Sequence, residues 1–225
     1  MKDLLIFDMD GVLVDVTDSY RAAIQATVKN LTGDEPSPVE IQDWKNRGGW
    51  NDDWLLSTEM IRQRGHNIPY QQVVEHFQKL FHGDGTNGLI LRERWLATEG
   101  LFDRLATNHT LAVFTGRPRE EADLTLKRFG GGLTFSPIVA MEDVANHKPA
   151  PDGLLQIARE NPDTKLFYVG DSIDDARSAR AARVPFIGIA APANPRYVDL
   201  AFLFQQENAY AIVDDINYLN EVFPA

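Results

Sequence analysis

The apolar run Leu4–Phe7 stops abruptly at Asp8-Met9-Asp10-Gly11-Val12, and no other stretch limits the fold of this chain as much. A short apolar run closed by two acids and a glycine reads as a buried strand that ends at a site. On an extended strand the carboxylates of Asp8 and Asp10 point the same way. Like charges held side by side cost free energy unless something offsets them, and a divalent cation is a common offset. Gly11 lets the chain turn sharply and lets a ligand approach the backbone. Taken alone, the segment also fits a solvated strand end.

Three later segments share this design. Leu111–Phe114 runs into Thr115-Gly116-Arg117-Pro118-Arg119, where a helix is expected to begin near Pro118. Thr115 and the following N–H groups suit phosphate oxygens, and Thr115 equally suits a helix cap. Arg117 and Arg119 read as surface charges, since Arg119 opens the helix. In His147-Lys148-Pro149-Ala150-Pro151-Asp152 the lysine is either a surface charge or an ammonium aimed by two stiffening prolines. Leu166–Val169 ends at Gly170-Asp171-Ser172-Ile173-Asp174-Asp175. Asp171 and Asp175 are four apart and share one side of a first helical turn, and acids there also favour the positive end of a helix.

In this order the four segments, Asp-x-Asp-Gly, Thr-Gly-Arg, Lys-Pro-x-Pro and Gly-Asp-Ser-x-x-Asp, resemble the motifs of the haloacid dehalogenase-like (HAD) superfamily, from Leu4 to Ile189. The resemblance implies a doubly wound parallel-sheet, Rossmann-like α/β core with an inserted all-helical cap domain. It makes Asp8 the nucleophile that forms an aspartyl-phosphate, and Asp10 the acid and then the base. It assigns Mg²⁺ to Asp8, the backbone carbonyl of Asp10 and Asp171. Lys148 neutralises developing charge, Thr115 with Gly116 fixes the phosphoryl oxygens, and Asp175 orients Lys148 or a metal water. Dehalogenases of the superfamily lack an acid at the position of Asp10, so phosphoryl transfer is favoured here. The implied activity is a Mg²⁺-dependent phosphatase acting on a small-molecule phosphate ester, similar to phosphoglycolate phosphatases. The alternatives are a sugar-phosphate mutase resembling β-phosphoglucomutase and a non-catalytic HAD-like binding protein.

The chain order supports an insertion. Helical apolar spacing marks Ser19–Leu31, Pro38–Asn46, Trp54–Arg64 and Tyr70–Phe81, with a polar, glycine-rich hinge at His82–Asn87. Residues 16–87 are therefore expected to form the helical cap, and residues 1–15 with 88–225 the core. Beyond it strands at 111–114, 137–140, 166–169 and 185–189 alternate with helices at 120–129, 153–160 and 174–182, which argues for a parallel sheet with its ligands beyond the strand carboxyl ends. Between two of the cap helices, Trp44-Lys45-Asn46-Arg47-Gly48-Gly49-Trp50-Asn51 offers Lys45 and Arg47 for a second anionic group, with Trp50 and Asn51 beside them. The same residues also read as packed tryptophans with solvated charges. The tail residues Tyr197, Phe202, Phe204, Ile212 and Phe223 read as packing for the sheet edge.

Composition narrows the class. With 33 acidic against 22 basic residues and a net charge of −11, the chain shows no basic face for nucleic acid. It has no cysteine for disulfides or thiol chemistry, and its histidines lack metal-ligand spacing. No apolar run spans a bilayer, and Met1-Lys2-Asp3 leads straight into the first strand. These features predict a cytoplasmic enzyme with no membrane partner, and they leave open whether it is a monomer or a dimer.

Overall fold

A computed structural model describes residues 2–224 of the chain. The chain divides into two compact units, one reaching to Val14 and resuming at Trp95, the other Asp15–Arg94.

The first unit is built on a six-stranded parallel sheet of order β5-β4-β1-β6-β7-β8. Its strands are β1 (Asp3–Phe7), β4 (His109–Phe114), β5 (Ile138–Val139), β6 (Leu166–Gly170), β7 (Phe186–Ile189) and β8 (Ala211–Val213). These are short, continuous apolar runs, as strands covered on both faces must be. Alternate residues feed two separate cores. Leu5, Phe7, Val113, Phe167 and Val169 pack with Leu101, Phe102 and Leu105 of α5 (Leu101–Asn108), Ala122 of α6 (Arg119–Phe129) and Leu219 of α10 (Leu219–Val222). Leu4, Ile6, Ala112, Phe114 and Tyr168 pack with α7 (Asp152–Glu160), α8 (Ile173–Ala182) and α9 (Tyr197–Gln206). The chain winds outward from β1 to β4 and β5, then returns to β6 on the other side and winds out to β8. Strand order thus reverses beside β1, and in such sheets ligands bind at the carboxyl ends next to that reversal.

The ribbon β2 (Val14–Asp15) and β3 (Arg94–Trp95) carries the chain out to the second unit and back. That unit is helical: α1 (Ala22–Thr32), α2 (Pro38–Arg47), α3 (Asp53–Gln63) and α4 (Tyr70–His82). Its boundaries have local causes. The Ser37 hydroxyl accepts the Glu40 N–H, with Pro38 in the first turn, and Asp52 Oδ1 accepts the N–H groups of Trp54 and Leu55. Ile24, Val28, Leu56, Met60, Val73, Phe77 and Phe81 form its buried interior, and the Tyr20 and Phe81 rings lie 4.2 Å apart.

The tail departs from expectation. It supplies α9 and the edge strand β8, and while Phe204 is buried, Phe202 is 58% exposed and Tyr197 is also exposed. Phe202 falls on the face of α9 opposite the buried Phe204, whereas Tyr197 is the first residue of the helix.

Candidate active site

Three of the four motif segments lie at or just past the carboxyl ends of strands, and Lys148 comes from the loop between β5 and α7. Asp8 follows β1 and continues its ladder, its N–H donating to Val169 O at 2.8 Å. Thr115 follows the neighbouring β4, and Gly170 and Asp171 close β6 on the other side. Gly11 makes the first turn possible. Its φ is +68°, and an added Cβ would stand 2.0 Å from Asp171 Oδ2. Only glycine lets these two loops meet without displacing Asp171. Gly170 serves the same end, since a Cβ there would lie 2.5 Å from Asp175 Cβ.

Lys148 is the centre of the cluster. Its Nζ reaches Asp8 Oδ1 at 2.8 Å and Asp175 Oδ1 at 2.7 Å, and all three side chains are buried. The ammonium also lies 4.8 Å from the Phe114 ring centre and 5.3 Å from that of Tyr168. Asp175 is doubly employed. It forms a capping box with Ser172 at the start of α8, Oδ2 accepting from the Ser172 N–H at 3.1 Å and Oγ at 2.6 Å. Its Oδ1 accepts from the Tyr168 hydroxyl at 2.6 Å. The cap reading of this motif and the Lys148-orienting reading are therefore compatible in one residue.

This asymmetry separates the two carboxylates that share Lys148. Burial opposes the charged form of Asp175, but Lys148, Ser172 and Tyr168 outweigh it and hold the carboxyl below 3.8. Burial pushes Asp8 up from 3.8 to about 7, Asp175 and Asp10 add to that, and Lys148 opposes it. Asp175 accepts several hydrogen bonds and Asp8 only the one from Lys148, which is why the balance differs. Burial also works against the Lys148 ammonium, yet Asp175 and Asp8 prevail and keep it firmly charged.

Asp10 turns to a different partner. Arg117 Nε and Nη2 reach its Oδ1 at 2.6 and 2.5 Å. Arg117 is buried, which corrects its reading as a surface charge. Arg119 lies partly exposed at the start of α6, paired with Asp143 and donating to Ile138 O. Thr115 is buried, its Oγ1 accepting the Arg117 N–H at 3.1 Å, and it does not cap α6, which starts after Pro118. Gly116 is half-buried in the same turn.

This geometry meets its relatives in sequence. Residues 5–189 match the haloacid dehalogenase-like hydrolase family. The chain belongs to that family. A Phytophthora nicotianae protein named imidazoleglycerol-phosphate dehydratase is 31% identical over 198 residues, covering 84% of this chain and 43% of that protein. The chain thus spans less than half the length of that relative. The phosphoglycolate phosphatase of Escherichia coli K12 is 26% identical over 231 aligned residues, covering 93% of this chain and 89% of the relative. A haloacid dehalogenase-like protein from Agrobacterium tumefaciens shares the fold, with a TM-score of 0.71 at 20% identity over 99% and 97% of the two chains.

Carboxylate oxygens of Asp8, Asp171 and Asp175 in this hydrolase lie within 4.8 Å of one another. A donor set of hard oxygens, with acids outnumbering the one lysine among them, fits a divalent cation of the Mg²⁺ type better than a thiophilic metal. Asp175 is engaged by Lys148, Ser172 and Tyr168, so Asp8 and Asp171 are the carboxylates best placed to take one. Asp10 is not one of these three acids, and its Oδ1 is held by Arg117.

The helical unit presents the remaining expected residues in a local arrangement. Lys45 pairs with Asp53 at 2.5 Å, the Arg47 guanidinium lies 4.4 Å from the Trp44 ring centre, and Trp50 meets Trp44 edge-on at 4.9 Å. Asn51 is half-buried just before α3. No helix among the described residues is long and apolar enough to cross a membrane.

Proposed function

We propose that this hydrolase is a Mg²⁺-dependent phosphomonoesterase that acts on a small phosphorylated metabolite in the cytoplasm, through an aspartyl-phosphate on Asp8. The observation that carries the reading is the buried Lys148 ammonium held between Asp8 and Asp175 at 2.8 and 2.7 Å. It keeps a nucleophilic carboxylate beside a fixed positive charge, where a phosphoryl group needs both. The kinship with a phosphoglycolate phosphatase supports the same reading.

Asp8, Asp171 and the Asp10 carbonyl would hold Mg²⁺, which would let two anions, carboxylate and phosphate, approach each other. An Asp8 carboxylate oxygen attacks phosphorus as the bond to the leaving oxygen breaks. Asp10 gives that oxygen its proton. Asp10 then takes a proton from water as the water oxygen attacks phosphorus, and the Asp8–phosphorus bond breaks to release phosphate and restore the carboxylate. Thr115 and the Gly116 N–H orient the phosphoryl oxygens, and Asp175 keeps Lys148 directed at Asp8. Lys45, Arg47, Trp50 and Asn51 recognise the part of the substrate that does not react. Phosphate release from a panel of phosphorylated metabolites tests the proposal. Activity disappears with EDTA and returns with Mg²⁺; full activity after exhaustive chelation contradicts it.

A further inference from the structure

Arg117 is a costly residue to bury, and the fold goes to some length to fix it. Its side chain is 1% exposed. Nη1 donates to the hydroxyl of Thr125, buried on α6, at 2.8 Å. Its backbone N–H donates to Thr115 Oγ1 at 3.1 Å, and its carbonyl accepts from the Met141 N–H at 2.9 Å. The guanidinium is thereby held at the backbone and at one nitrogen. Its other edge, Nε and Nη2, is delivered to Asp10. A guanidinium is a rigid planar fork, so an oxygen it grips is fixed in direction as well as in distance. Asp10 by contrast is 32% exposed and has only a short side chain to orient it. Both contacts fall on Oδ1. Oδ2 is therefore the carboxylate oxygen left to face a reacting atom.

We infer that Arg117 is a positioning residue for the reaction proposed above, holding Asp10 by Oδ1 so that Oδ2 faces first the leaving oxygen and then the attacking water. The inference rests on Asp10 serving as the proton donor. In this role Arg117 acts through Asp10 rather than on the substrate or the metal. Thr125 acts one step further out, by fixing the guanidinium.

The readout is leaving-group dependence. p-Nitrophenolate departs with little help from a proton, whereas phenolate is more basic and needs one. In Arg117→Ala, kcat/KM for phenyl phosphate falls further than kcat/KM for p-nitrophenyl phosphate, by about 10- to 100-fold, a fraction of the ~10²–10⁴ that proton transfer contributes. Guanidinium chloride at millimolar concentration narrows the gap. Arg117→Lys, which keeps the charge and loses the fork, and Thr125→Val, which frees the guanidinium, shift the ratio in the same direction. In an Asp10→Asn background Arg117→Ala leaves the ratio where Asp10→Asn has put it. Equal losses on both esters, or a full additional shift in the Asp10→Asn background, overturn the inference and make Arg117 a packing residue. If Arg117→Ala does not fold, the Lys and Val variants carry the same comparison, and unchanged ratios in both overturn it. A wild-type protein that hydrolyses neither ester with Mg²⁺ removes the phosphatase reading itself and this inference with it.

Discussion

The site beyond β1 and the connection between α2 and α3 both gather charges and aromatic rings, but they are assembled in opposite ways. At β1 the partners are remote in sequence, 140 positions apart for Lys148 and Asp8 and 107 for Arg117 and Asp10. In the helical unit Lys45 meets Asp53, Arg47 meets Trp44, and Trp44 meets Trp50, all within a single helix-to-helix connection. The first constellation exists only when the sheet is complete, because three separate strand ends must arrive together. The second needs only a local turn. A non-local scaffold suits chemistry that demands fixed geometry, whereas a local connection can change without disturbing that scaffold.

The comparison breaks most visibly at Asp8. Asp8→Asn removes turnover of p-nitrophenyl phosphate while leaving the circular dichroism spectrum intact; substantial turnover by the variant rejects Asp8 as nucleophile. Lys148→Ala comes next. It leaves Asp8 and Asp175 buried without their cation, so it lowers unfolding free energy by about 3–5 kcal/mol as well as impairing every phosphate ester alike. Urea unfolding checks this, and a change below about 1 kcal/mol shows that the buried pair is not what holds the strand ends together.

A smaller effect follows from Asp8 in metal-free protein. Its folded pKa of about 7 lies above the ordinary 3.8, so the folded state keeps a proton that the unfolded chain has lost. The contribution is fully present below 3.8 and is lost as pH rises towards about 7. With EDTA present, wild type loses stability relative to Asp8→Asn across that window. Parallel curves contradict the burial account.

The smallest effect sharpens the contrast from the other side. Lys45→Ala and Arg47→Ala reduce kcat/KM for a doubly anionic metabolite by an amount worth about 1–3 kcal/mol, and affect p-nitrophenyl phosphate less. Equal losses on both substrates make these side chains structural members of the α2–α3 connection.

The sequence shows the non-local sheet clearly and its cross-links poorly. Leu4–Phe7, Leu111–Phe114 and Leu166–Val169 are legible because a strand buried on both faces has to be a continuous apolar run, so an acid or hydroxyl ending it stands out. The helices are legible from their apolar spacing, and the structure shows local capping by Ser37 and Asp52 at the starts of α2 and α3. Arg117 is not legible, because an arginine just before a helix normally faces water and its partner lies far away in the chain. Phe202 and Phe204 are equally apolar in the sequence, and only the docking of α9 on the sheet buries one and exposes the other. The strands β2 and β3 are two residues each, too short to carry any period.

A covalent phosphoryl-enzyme on Asp8 can be captured by borohydride reduction. Protein mixed with Mg²⁺ and p-nitrophenyl phosphate is quenched during turnover and reduced with borohydride, which converts an aspartyl-phosphate to homoserine. Peptide mass spectrometry then locates the modified residue. With Asp8 as nucleophile, homoserine is found at position 8 in wild type and not in Asp8→Asn; homoserine at another aspartate, or at position 8 without substrate, contradicts that role.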